Sequence, residues 1–175
     1  PVIIDEAYGE FSNSSVLRLV KKYPNLILVK TLSKAFGLAG LRVGYMIADK
    51  KFTEIFSNVI QYPYPLNTLA IECGILALEK SKQITSIFEN IKKQRTRVIQ
   101  NLKKYDAFDV FDSNANFVLF DAKGADTRVY NALIEQGISI RKLGKLASHK
   151  GCLRMTIGTP DMNSKFLLAI RDLLE

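Results

Sequence analysis

Three short runs that are apolar at every position constrain the fold of this chain more than any other feature. They are Val2-Ile3-Ile4, Leu26–Val29 and Val43–Ala48. A strand with one wet face alternates polar and apolar residues, and an amphipathic helix repeats near 3.6. Runs apolar on both faces suit strands of a parallel sheet covered by helices. Between them, Val16, Leu19 and Val20 predict a short helix over 14–22. Asp49 has the chemistry to cap a helix carrying Phe52, Ile55, Phe56 and Val59. Pro63 and Pro65 interrupt that pattern, and a further helix is expected over 67–80.

The second half has a different rhythm. Ile84, Ile87, Phe88 and Ile91 recur at helical spacing, and Val98, Leu102 and Tyr105 continue the stripe. A helix this long suits a bridge between two domains. Strands are expected over 108–111, 116–121, 137–141 and 152–157, with a helix over 126–136 that turns Val129, Tyr130, Leu133 and Ile134 inward. Thr159-Pro160 predicts the start of a last helix bearing Met162, Phe166, Leu167, Ile170 and Leu174. The expected fold class is α/β: the closing part of a large, mostly parallel-sheet domain over 1–81, then a small α+β domain over 82–175 entered through the long helix.

Composition excludes several classes. With 47% hydrophobic and 24% charged residues, the chain is globular rather than disordered. No apolar run approaches the roughly 20 residues of a membrane helix, and no secretory signal opens the chain. Pro1 leads directly into an apolar run, as expected for a piece of a longer protein. The net charge of +8 raises the question of nucleic acid, but the cations are dispersed in pairs such as Lys21-Lys22, Lys50-Lys51, Lys92-Lys93 and Lys103-Lys104, a solvated surface rather than a nucleic-acid stripe. Cys73 and Cys152 read as small buried hydrophobes, and His149 alone makes no metal site.

Three constellations carry chemistry. The first is Thr31-Leu32-Ser33-Lys34, followed by Gly40-Leu41-Arg42-Val43-Gly44-Tyr45. It follows a buried strand, at the kind of strand end where open α/β sheets bind ligands. Its hydroxyls and the forked Arg42 can converge on a phosphate, which leaves the Lys34 amine to attack a carbonyl carbon of the same ligand. The bland alternative is a glycine-rich surface loop with a solvated lysine. The second is Asp5-Glu6-Ala7-Tyr8, where a carboxylate at a strand end is expected to be partly desolvated and to need a positive partner. Its alternative is a capping Asp beside a packed Tyr. The third is Cys152-Leu153-Arg154-Met155-Thr156-Ile157-Gly158, a strand with one arginine, and Arg141 at the end of another strand offers a second anion contact or an edge charge.

Together these motifs resemble the fold type I aminotransferases dependent on pyridoxal 5'-phosphate, and the Ala35–Gly40 segment is more similar to the histidinol-phosphate branch than to the aspartate branch. The resemblance covers nearly the whole chain. It implies that Lys34 joins the cofactor aldehyde and later moves the substrate proton, that Asp5 pairs with the pyridine nitrogen, and that Tyr8 bonds the ring oxygen. It implies that Thr31, Ser33 and Arg42 hold the cofactor phosphate, while Arg154 and Arg141 grip the substrate's anionic group. The implied partners are a phosphorylated amino alcohol or amino acid and a 2-oxo acid, with no nucleic acid, membrane or metal. The implied setting is a cytoplasmic homodimer. The ring-stacking aromatic, the phosphate-cradling loop, an asparagine and a tyrosine donated across the dimer belong to the family's preceding half, so this chain is expected to be inactive alone. Decarboxylation of threonine phosphate, another class I/II transamination, and a non-catalytic basic fragment stay open as alternatives.

Overall fold

The computed structural model describes residues 1–175. The chain divides into two compact units, Pro1–Phe88 and Glu89–Glu175.

The first unit holds a three-stranded sheet in the order β1-β2-β3, formed by Val2–Asp5 (β1), Leu26–Thr31 (β2) and Gly44–Ile47 (β3). β1 and β2 are parallel, with Val2 opposite Leu26 and Asp5 opposite Val29. β2 and β3 are antiparallel, with Leu28 opposite Ile47 and Thr31 opposite Gly44. The sheet is therefore mixed, where apolar patterning predicted mostly parallel. The reason lies in the connection from β2 to β3. It contains one short 3-10 turn, Ala39–Leu41, and returns on itself with the Leu32 N–H donating to Val43 O. Without a crossover helix the chain comes back antiparallel.

Burial differs from expectation as well. Leu26, Ile27 and Leu28 of the central strand are buried, but Val2 is 49% and Ile3 67% exposed. β1 has one neighbouring strand, so its apolar residues lack the second flank that the pattern implied. The helices are Leu17–Val20 (α1), Lys50–Ile55 (α2), Thr68–Glu79 (α3) and the start of Ser81–Leu102 (α4). α1 is a single turn, shorter than predicted, because the preceding serines make local bonds: Ser14 N–H donates to Ser12 Oγ and Ser15 Oγ to Glu6. Asp49 caps α2 and Asn67 caps α3, accepting from Lys51 N and Ala70 N at 2.9 Å each. A widened π turn, Phe56–Ile60, ends the α2 segment before the prolines. Phe11 and Phe36 both meet Phe88 edge to face, at 5.9 and 6.1 Å between centroids.

The second unit is an antiparallel sheet ordered β4-β5-β7-β6, made of Asp109–Val110 (β4), Phe117–Asp121 (β5), Arg141–Leu146 (β6) and His149–Thr156 (β7). Asp126–Glu135 (α5) and Pro160–Leu174 (α6) complete it, together with the rest of α4. Val98, Leu102, Phe108, Val118, Phe120, Leu133, Leu153, Phe166 and Ile170 form one buried core. Thr159 caps α6 and Pro160 opens it. One strand is displaced from its predicted position. Residues 137–141 were expected to form it, yet β6 begins at Arg141, so this residue starts a strand rather than ending one. Residues 146–149 are the tip of the β6–β7 hairpin, with Ala147 in the left-handed region at φ 49. A register shift around Gly144 breaks the two-residue period and hides this hairpin from pattern reading.

Asp121 ties the hairpin base together. Oδ1 accepts from Lys123 N at 2.9 Å and Gly151 N at 2.8 Å; Oδ2 accepts from Lys150 N at 3.2 Å and lies 3.2 Å from His149 Nδ1. His149 in turn stands edge-on to Phe111, 4.8 Å between centroids. Asp109, Asp121 and His149 bring ligand atoms within 4.8 Å of one another, but the Asp121 oxygens already serve backbone donors. Burial pushes the Asp121 carboxyl up, and the hydrogen bonds from Lys123, Gly151, Lys150 and His149 outweigh it, holding the group below the usual carboxylate range. A depressed folded value contributes stability that is full above the unfolded value of about 4 and is lost as pH falls through the folded one. Asp121→Asn is expected to cost about 1–3 kcal/mol at neutral pH and to flatten the acid limb of a stability–pH curve, measured by denaturant titration. An unchanged acid limb would contradict it.

No helix is long and apolar enough to cross a membrane.

Candidate active site

The parallel pairing of β1 and β2 sets their C-terminal ends side by side, and both predicted motifs begin there. Glu6 N–H donates to Val29 O at 2.8 Å, extending the β1 ladder by one bond into the next turn. Asp5 Oδ1 accepts from Ala7 N at 2.8 Å, which shapes that turn and delivers Tyr8. β2 runs on to Thr31. Leu32 is then anchored at 1% exposure, and Ser33 and Lys34 follow in the turn beyond. The Lys34 Nζ stands 5.8 Å from the centroid of the Tyr8 ring, so the two motifs meet.

The other predicted residues of this unit make local contacts of their own. The Thr31 hydroxyl donates to Val43 O at 3.2 Å and accepts from Ser33 N at 3.1 Å, fixing the start of the loop. Arg42 is exposed at φ 58, a left-handed conformation uncommon for a side-chain-bearing residue, and its Nη1 donates to Ala39 O at 3.2 Å. Asp5 is exposed, where partial desolvation was expected, because β1 is flanked on one side only.

A supporting cluster escaped sequence reading. Lys30 points to the opposite face of β2 from Thr31, and its Nζ lies 2.8 Å from Glu10 and 3.6 Å from Glu6. Glu6 also accepts from Ser15 Oγ at 2.8 Å and from Val16 N at 2.7 Å. Burial draws the Lys30 amine down, but the Glu10 hydrogen bond and the neighbouring charges overcome it and hold it above its ordinary value. A Cβ on Gly9 would come within 3.1 Å of Glu6 Cβ and 3.2 Å of Lys30 Nζ, so a larger residue there would require the cluster to shift by a few tenths of an ångström. The available signal was a lysine embedded in an apolar strand, which needs an acid nearby.

The third constellation lies in the second unit. Arg141 of β6 and Arg154 of β7 are directly opposite in register. Two cations facing one another across a ladder repel unless an anion lies between them. Both line an open cleft of about 760 Å³, together with Ser139, Thr156, Met162 and Lys165. Fully buried Asn163 fastens the rim, accepting from Gly158 N at 2.9 Å and donating to Gly158 O at 3.0 Å. Cys152 is buried, and burial, reinforced by Asp121 and Asp126, pushes its thiol up, so it packs rather than reacts.

A model of the family described as aminotransferase class I and II matches residues 1–170. The chain belongs to this family. A histidinol-phosphate aminotransferase of Ruminiclostridium cellulolyticum is 38% identical over 166 residues, which is 95% of this chain and 46% of that protein. The crystal structure of the histidinol-phosphate aminotransferase from Clostridium acetobutylicum superposes with a TM-score of 0.84 at 30% identity, covering 98% of this chain and 53% of that one. The L-threonine-O-3-phosphate decarboxylase of Porphyromonas gingivalis is similar at a TM-score of 0.83 and 26% identity, covering 98% of this chain and 54% of its own. The chain spans about half the length of the curated relatives it matches. The mixed α/β architecture is thus that of the aminotransferase family.

Proposed function

We propose that the protein carrying this chain is a pyridoxal-phosphate enzyme that transfers the amino group of histidinol phosphate to 2-oxoglutarate. The observation that supports it most is the placement of the Lys34 amine 5.8 Å from the Tyr8 ring at paired strand ends. The residues present fit the cofactor: an exposed amine, a phenol facing it, a carboxylate one turn away, and hydroxyls with an arginine in the loop that follows. When bound, the cofactor supplies an electron sink for charge developing at the substrate's α carbon.

The chain's own residues have distinct tasks in this reading. Lys34 would hold the cofactor at its aldehyde carbon, and once the substrate amine had displaced it there, the freed Lys34 amine would take and return the α-carbon proton. Asp5 offers a carboxylate to a pyridinium N–H. Tyr8 donates to the ring oxygen, and Thr31, Ser33 and Arg42 address the cofactor phosphate. Arg154 and Arg141 hold the substrate phosphate: their opposed positions suit a dianion better than a carboxylate. The domain division at 81/82, homodimeric assembly and a cytoplasmic setting belong to the same proposal.

Likeness to the threonine-phosphate decarboxylase favours a second reading, release of carbon dioxide from a phosphorylated amino acid. The complete protein is expected to form glutamate from histidinol phosphate and 2-oxoglutarate. Carbon dioxide released from threonine phosphate without an oxo acid would select the decarboxylase. Absence of both products, with salt-sensitive polyanion binding, would leave a basic binding fragment.

A further inference from the structure

Arg154 sits in the middle of β7, and three neighbours define its position. Arg141 faces it from β6, Leu119 faces it from β5, and Phe117 lies diagonally across β5, paired with Thr156. Diagonal neighbours on one face of a sheet are within reach of an aromatic side chain. The Arg154 guanidinium carbon lies 5.1 Å from the Phe117 ring centroid. The Arg154 Nε is buried without a hydrogen-bond partner, so that nitrogen does not orient the guanidinium through a bond. Arg154 is half-buried and Phe117 likewise.

We infer that Phe117 is the positioning residue for Arg154: its ring supports the guanidinium and holds it level with Arg141, so that the two cations address one dianionic group together. This rests on the reading of Arg141 and Arg154 as an anion clamp. An unsupported guanidinium on a flexible stem would swing away from Arg141, since the like charges repel when no anion is bound. The aromatic face attracts the cation and restricts it to one plane before the ligand arrives. The ring touches the arginine and not the reacting atoms, so its effect falls on anion affinity rather than on the chemical step.

The test uses the complete, cofactor-loaded protein, in which the cofactor's own phosphate contacts are occupied. Inorganic phosphate is titrated calorimetrically into wild type, Phe117→Tyr, Phe117→Met and Arg154→Ala. Phe117→Met conserves apolar volume and removes the aromatic face; Phe117→Tyr retains it. Expected is a loss of phosphate affinity of about 3- to 30-fold in Phe117→Met. Phe117→Tyr is expected to stay near wild type, and Arg154→Ala to lose binding. In turnover, Phe117→Met raises KM for the phosphorylated substrate and leaves kcat in place. Phosphate bound by Phe117→Met as tightly as by wild type, while Arg154→Ala loses it, would overturn the positioning role and leave the clamp standing. Phosphate bound equally by wild type and Arg154→Ala would overturn the clamp and the positioning role with it.

Discussion

Lys34→Ala in the complete protein is expected to lower turnover by about 10³-fold or more and to abolish the absorption band of the imine between the cofactor and this lysine. The size follows from two losses at one atom. The amine that binds the aldehyde is gone, and so is the group that moves the α-carbon proton, a role that alone supplies about 10²- to 10⁴-fold. Such paired roles are not additive, so the deficit is read as one number. Lys34 is exposed and stands over Tyr8, outside the buried clusters of its unit. The variant is therefore expected to melt within a few degrees of wild type, by thermal denaturation followed in the far ultraviolet. Lys34→Arg keeps the charge but offers no nucleophilic amine, so it should be as inactive as Lys34→Ala. Turnover retained within tenfold by Lys34→Ala would remove the basis of the proposed function.

The second large effect is expected at Arg154. Removing one partner of a charge-assisted clamp costs about 2–5 kcal/mol, so Arg154→Ala should raise KM for the phosphorylated amine on the order of 10²-fold or more. Arg141→Ala should cost less, because Arg141 is exposed at the start of β6 while Arg154 is half-buried in mid-strand. The double variant should fall short of the summed losses, since both cations address one group. Arg154→Lys is not expected to rescue, because an ammonium offers neither the planar fork nor the same stacking on Phe117. The decisive control is histidinol without its phosphate. Its weak turnover should be nearly indifferent to Arg154→Ala. An equal loss with both substrates would show that Arg154 does not read the phosphate.

Legibility differed from residue to residue for physical reasons. Asp49 and Thr159 were readable because a cap bonds a backbone group two or three residues away. The helix over Ser81–Leu102 and the one over Pro160–Leu174 were readable because their apolar stripes repeat locally. Thr31, Ser33, Lys34 and Arg42 stood out as a motif, and so did Asp5 and Tyr8. The pairing of Lys34 with Tyr8 was not visible, because it depends on Asp5 lying opposite Val29. Lys30 with Glu6 and Glu10 went unread for the same reason, as did the opposition of Arg141 and Arg154.

What this sequence determined alone is local: helix periods, caps, the apolar strand cores and the Thr31–Lys34 motif that follows one of them. Tertiary structure alone decided that β3 runs against β2, that residues 141–156 form a bulged hairpin, that β1 lies exposed, and that two arginines face each other across a ladder. Those outcomes depend on which strand lies beside which and in what register. Such contacts join residues far apart in the chain, where no spacing rule reaches.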